Sequence, residues 1–153
     1  KRTGGLGAFL LGCHNSETGD FETVCRLGTG FSDEQLESFT KLLMPHKIDA
    51  MHPSARVKES PNEPDVWFNP KIVWEVAAAD LSISPQHTAA IGKAAPERGI
   101  ALRFPRFLRT RDDKQAQAAT SSEQILEMYQ QQAQMQQDSK DMPEDPKDTQ
   151  QDS

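Results

Sequence analysis

Apolar residues fall into short runs divided by polar, turn-rich segments, a spacing that predicts strands more than long helices. Residues 8–11 (AFLL) and 23–27 (TVCRL) are the first two runs, and the polar stretch 14–20 between them reads as a hairpin with a loose loop. Ser32 with Gln35 three residues later forms a capping-box pattern, and Leu36, Phe39 and Leu43 follow at helical spacing. A helix is therefore expected over residues 33–44, stopped by Pro45. Residues 47–65 carry Pro53, Pro61 and Pro64 without a clear period, which predicts a long surface connection with a short strand near 55–58. Residues 66–68 are a brief apolar stretch before Pro70. Residues 72–78 alternate as a strand should, with Ile72, Trp74 and Val76 on one side, and residues 81–83 either extend that strand or pair with it.

Further on, a turn of helix is expected near 88–91 and a strand over 100–104, with Ile100, Leu102 and Phe104 on one face. Pro105 interrupts it, and residues 107–111 continue extended. Thr120, Ser121 and Ser122 precede a second helix over 123–134, with a thin apolar stripe of Ile125, Leu126 and Tyr129. Beyond it lie glutamines and a Pro/Asp/Lys tail that is expected to be disordered. Several short strands around one helix make the expected fold class mainly β, a small Greek-key barrel of the OB type. The expected division is an OB-fold at 1–119, a C-terminal helix at 120–136 and an acidic, Gln-rich tail at 137–153.

Composition and charge sharpen this picture in two places. The chain has 153 residues, enough for one compact domain and a tail, and its 35% hydrophobic content is low because the C-terminal end holds almost nothing a core could use. The net charge of -6 argues against a nucleic-acid partner only if charge is evenly spread. It is not: Arg98, Arg103, Arg106, Arg109, Arg111 and Lys114 crowd one stretch against Asp112 and Asp113. A phosphate senses charge within a Debye length, roughly 8–10 Å, so local charge outweighs the total. Arginines alternating with apolar residues let one face anchor while the other presents planar forks suited to phosphate oxygens. The charge pattern alone leaves two readings open, a phosphate-binding strand and a solvated basic surface strand.

The run RFPRFLRTRDDK at 103–114 resembles motif VI of the ATP-dependent DNA ligases. KRTGGLGAFLLG at 1–12 is similar to that family's approach to its OB domain, CRLGTGFSDEQL at 25–36 to the segment leading into the internal helix, and WFNPKIVWEVAAADLSISP at 67–85 to the strand and turn before motif VI. The core RFPRF resembles the eukaryotic replicative type, DNA ligase I, most closely. The resemblance spans about residues 1–135 and implies the C-terminal OB domain of an enzyme that seals nicked duplex DNA through enzyme-AMP and DNA-adenylate intermediates. It implies ATP and Mg²⁺ as cofactors, held mainly by an adenylation domain of the same parent chain, and nicked double-stranded DNA as partner. It also implies a nuclear location, with the mitochondrion as a second one, and neither a membrane nor self-association is expected.

The same resemblance carries residue roles. Arg111, Asp113 and Lys114 occupy the RxDK positions that orient the departing pyrophosphate during self-adenylation. Arg103 and Phe104 stand where the family touches the minor groove and wedges beside the nick; Lys1, Arg2, Arg106 and Arg109 fit DNA contacts. Phe104 retains two readings, since its strand face would bury it and Pro105 would expose it. No KxDGxR adenylation motif occurs in the chain, so no ligation is expected of it alone, and a first OB strand is expected upstream of Lys1.

Other sequence features carry less. A stand-alone single-strand-binding OB module, or the OB domain of an mRNA capping enzyme or RNA ligase, are the competing readings. Cys13 and Cys25 match no metal spacing and read as buried free thiols, although a hairpin could bring them together. Gly28-Thr29-Gly30 reads as a turn before a capped helix, and the four histidines lack ligand spacing, so no metal site is expected. Glu75 and Asp80 form either a carboxylate pair or surface acids facing solvent or an arginine; Trp67 and Trp74 read as core or barrel-rim aromatics.

Overall fold

The computed structural model describes residues 7–28, 31–58 and 63–141. Lys1, Arg2, the Thr29-Gly30 pair and residues 142–153 lie outside the described residues. The domain is mainly β with two α-helices, in keeping with an OB-like architecture. Strand β1 (Phe9–His14) turns back as β2 (Phe21–Leu27), as the hairpin pattern requires. Asn15 closes the loop by accepting, through its side-chain oxygen, the amides of Glu17 and Thr18.

Helix α1 (Asp33–Leu43) starts where the sequence said it would: the Gln35 amide donates to Ser32 Oγ at 3.1 Å and the Ser32 amide to Gln35 Oε1 at 3.0 Å. Pro45 does not end the chain's helical course abruptly, because Met44–His46 form a short 3-10 turn in which it sits near the start. Two-residue strands follow: β3 (Lys47–Ile48) pairs with β5 (Trp67–Phe68), and β4 (Ala55–Arg56) lies parallel to β2. The strand expected over 55–58 is thus half as long.

Strands β6 (Trp74–Ala77) and β7 (Asp80–Ser84) run in line, and so do β8 (Gly99–Arg103) and β9 (Arg106–Thr110). β6 pairs with β9 and β7 with β8, both antiparallel. The register carries across the break, since Ala77 faces Arg106 and Asp80 faces Arg103, three residues on along each strand. The four strands are one two-stranded ribbon with a kink opposite Phe104-Pro105. Residues 81–83 extend the strand before them and pair with the one at 99–103, not with their own neighbour. Among the described residues the strands hydrogen-bond in five ladders grouped into four sheets, not in one continuous ring.

No helical turn forms at 88–91; hydrogen-bonded turns take its place, with Ala90 and Gly92 in the left-handed region at φ 51 and 79. This loop folds onto β8, where the Ile100 amide donates to the Ala89 carbonyl at 2.9 Å. A Cβ on Gly99 would stand 2.1 Å from the His87 carbonyl oxygen, a backbone atom that cannot step aside cheaply. Gly99→Ala is therefore expected to cost at least ~2 kcal/mol, read as a lower urea midpoint at unchanged slope; an unmoved midpoint would contradict this seat for the loop.

Helix α2 (Ser122–Asp141) runs beyond the expected 123–134. Ser121 is its cap, accepting from the Gln124 amide at 3.1 Å while the Ser121 amide donates to Gln124 Oε1 at 2.8 Å. Residues 137–141, expected as part of the disordered tail, are helical. No helix among the described residues is long and apolar enough to cross a membrane.

Two packed clusters hold these elements. One joins Cys13, Val24, Cys25, Ala89, Ala90, Ile100 and Ile125. The buried Glu22 carboxylate ties the same region together, accepting from Ser122 Oγ at 2.5 Å, the Ala90 amide at 3.0 Å and Asn15 Nδ2 at 3.1 Å. Both cysteines are free and buried; burial raises their thiols to about 11 for Cys13 and about 12 for Cys25, which keeps them protonated and inert. The other cluster is aromatic: Phe9, Phe31, Phe39, Trp74 and Phe107 meet in edge-to-face and tilted contacts, with Trp74 and Phe107 centroids 4.8 Å apart. It seats α1 behind the β6–β9 half of the ribbon and settles Trp74 as a packing residue.

Candidate nucleic-acid interface

The arginines occupy the ribbon's solvent side because a bulge puts them there. Glu75 faces Arg109 and Val76 faces Phe107, so Leu108 is the extra residue of β9. In a regular strand Phe107 and Arg109 would share a face. The bulge breaks that rule, sending Phe107 into the aromatic cluster and leaving Arg109 exposed. Arg111 follows beyond the strand end, its amide donating to the Val73 carbonyl at 2.7 Å.

Glu75 and Asp80 do not form a carboxylate pair; each holds arginines across the ribbon. Arg109 Nε donates to Glu75 Oε1 at 2.7 Å, and Arg111 Nη1 to the same oxygen at 3.4 Å. Arg111 also grips Asp113 with a two-pronged contact, Nε to Oδ1 at 2.9 Å and Nη2 to Oδ2 at 2.8 Å. These hydrogen bonds lower the Glu75 carboxyl, chiefly through Arg109, and the Asp113 carboxyl, chiefly through Arg111; Asp113 in turn raises the Arg111 guanidinium. Arg111 keeps only 23% of its side chain exposed, yet three of its five N–H donors are used and two remain. Lys114 and Arg106 are exposed and have no side-chain partner among the described residues.

At the kink the geometry differs. Arg103 Nε donates to Asp80 Oδ1 at 2.6 Å and Nη2 to Oδ2 at 3.2 Å. Phe104 adopts φ 53, a left-handed conformation unusual for a bulky residue, and 71% of it is exposed. Of the two readings of Phe104, exposure is the one found: the reversal of φ lifts it off the face of Ile100 and Leu102, and Pro105 has no N–H with which to continue the ladder. The Arg103 guanidinium carbon lies 5.2 Å from the centre of the Phe104 ring. Among the described residues Phe104 is the only aromatic side chain among the exposed large hydrophobics.

The sequence-derived residues thus gather at two stations of one ribbon, Arg103, Phe104 and Arg106 at the kink and Arg109, Arg111, Asp113 and Lys114 at its end. A cleft of about 1190 Å³ opens beside the second station; Glu75, Arg111 and Lys114 line it together with Phe9, Trp67 and Trp74. Sequence reading offered an arginine as one partner of Glu75 and Asp80, which the structure bears out, but not which arginine. The signal was present only as opposite charges at facing ladder positions, visible once the register is known. No group of three or more His, Cys, Asp or Glu side chains is arranged to hold a metal among the described residues.

A family model described as the ATP dependent DNA ligase C terminal region matches residues 2–114. The chain is 57% identical over 132 residues to "DNA ligase 1" of Dictyostelium discoideum, covering 86% of this chain and 11% of that protein. It is 54% identical over 134 residues to "DNA ligase 1" of Saccharomyces cerevisiae, covering 87% and 17%. "DNA ligase" of Sulfophobococcus zilligii is 46% identical over 132 residues, covering 86% and 21%. The chain therefore spans between about a tenth and a fifth of the length of these relatives.

Proposed function

Since the chain belongs to the C-terminal region of the ATP-dependent DNA ligases, we propose that it serves a nick-sealing enzyme by using the two stations of its ribbon in different steps. In self-adenylation the strand-end station, Arg111 with Asp113 and Lys114, orients the leaving pyrophosphate of ATP. In sealing, the kink station, Arg103 and Phe104, meets the minor groove beside the nick, with Arg106 and Arg109 on backbone phosphates. Lys1 and Arg2 belong to the same backbone contacts in this reading. The supporting observation is the exposure of Phe104 beside Arg103 within the matched segment.

The residues present suit a polyphosphate. Arg111 is fixed by Glu75 and Asp113 and still has donors to offer, and Lys114 adds an exposed ammonium with no side-chain partner among the described residues. ATP supplies the adenylyl group and the charge; this chain's residues bind and orient phosphate oxygens. Mg²⁺ belongs with the adenylation domain in this reading, and no step here runs through it.

Ion pairing of the arginines does not close the surface to DNA. Solvent-exposed pairs contribute about 0–1 kcal/mol, and Arg103 and Arg109 keep 51% and 61% of their side chains exposed. At Arg109 a phosphate can replace the Glu75 carboxylate at small cost, while Arg103 keeps its Asp80 partner and meets the groove with the donors that pair leaves unused. A single exposed aromatic favours a wedge in a duplex over a stacking platform for single strands, which needs several. Likeness to eukaryotic DNA ligase 1 proteins supports the nucleus as the place of work.

The test is salt dependence. Arg106→Ala should weaken nicked-duplex binding regardless of sequence and reduce the slope of log affinity against log salt by about one. An unchanged slope would remove Arg106 from the phosphate contacts.

A further inference from the structure

We infer that Asp80 is a positioning residue for Phe104, acting through Arg103; the inference rests on the reading of Phe104 as the wedge. Asp80 opens β7 directly opposite Arg103, which closes β8. Its two oxygens take both edges of the guanidinium, at 2.6 and 3.2 Å, fixing its plane as well as its place. That plane lies by the Phe104 ring, 5.2 Å from carbon to ring centre. Behind it the Ala79 amide donates to the Arg103 carbonyl at 2.9 Å, pinning the backbone just before the left-handed turn at Phe104. The ring is otherwise exposed, so the arginine is the charged neighbour that limits its rotation. Asp80 touches neither nucleotide nor nick in this scheme; it holds what holds the wedge.

The inference has a sign that a bland surface acid would not share. Removing a surface carboxylate from a DNA-facing ribbon should strengthen binding by relieving repulsion. Removing a positioning carboxylate should slow sealing even while phosphate affinity holds or rises.

The experiment uses a complete ligase carrying this region, a pre-adenylated nick, and 2-aminopurine at the nick to report unstacking. Asp80→Asn should lower the sealing kcat roughly threefold to fivefold, the range an exposed bidentate pair allows, without raising KM for DNA. It should also reduce the 2-aminopurine signal. Asp80→Glu, which keeps the anion, should restore both to within about twofold of the parent, which also controls for folding. In a Phe104→Ala background Asp80→Asn should cost nothing more. If Phe104→Ala slows sealing while Asp80→Asn does not, or if the two losses simply add, Asp80 has no positioning role and the wedge stands. If Phe104→Ala leaves sealing and fluorescence untouched, the wedge and the inference fall together.

Discussion

Arg111→Ala in a complete ligase carrying this region should slow self-adenylation by roughly a hundredfold, the loss typical of one preorganised donor aimed at developing charge. Sealing of a pre-adenylated nick should stay within a few-fold. The geometry favours the first of these. Arg111 is the least exposed of the ribbon's paired arginines and is held from two sides, by Glu75 and by the two-pronged Asp113. Such a fork is oriented before any phosphate arrives, so little reorganisation is needed when charge builds on a leaving group. Arg111→Lys should rescue poorly, because a single ammonium cannot satisfy Asp113 and Glu75 while still offering donors outward. Equal losses in both steps would withdraw the pyrophosphate role.

Phe104→Ala should show the reverse pattern, with sealing down roughly tenfold, in line with the ~1–3 kcal/mol of one base–aromatic contact, and self-adenylation intact. The fold should not suffer. A side chain 71% exposed contributes little burial, and its φ of 53 is strained for any residue but glycine. Phe104→Gly should thus raise thermal stability, by up to about 1 kcal/mol, and still lose sealing. A strained exposed aromatic that costs stability is what a functional wedge looks like and what a packing residue does not. Normal sealing by Phe104→Ala would take away its role.

Much of this was legible in the sequence because local chemistry decided it. Ser32 with Gln35 set the start of α1, the polar break at 14–20 made the hairpin, and the run at 103–114 drew attention to the ribbon. What period-two reading could not supply was any place where the pleat is broken. It left Phe104 between the face of Ile100 and Leu102 and exposure beside Pro105; the structure ends β8 at Arg103 and reverses φ at the next residue, which exposes it. It could not separate Phe107 from Arg109, because the bulge at Leu108 shows itself only against a partner strand. The roles of Glu75 and Asp80 depend on partners 34 and 23 residues away, which spacing along the chain does not reveal. The length of α2 was missed for another reason. Its second half has no apolar stripe to detect, but glutamine, methionine and lysine are good helix formers, and propensity extends it where packing does not.

The most direct test compares Arg111→Ala and Phe104→Ala in the same enzyme background, measuring the rate of lysine adenylation and the rate of sealing a pre-adenylated nick for each. The two stations of the ribbon require opposite outcomes, with Arg111→Ala failing mainly in the first rate and Phe104→Ala mainly in the second. Parallel losses in both rates for both variants would contradict the division of labour along this strand.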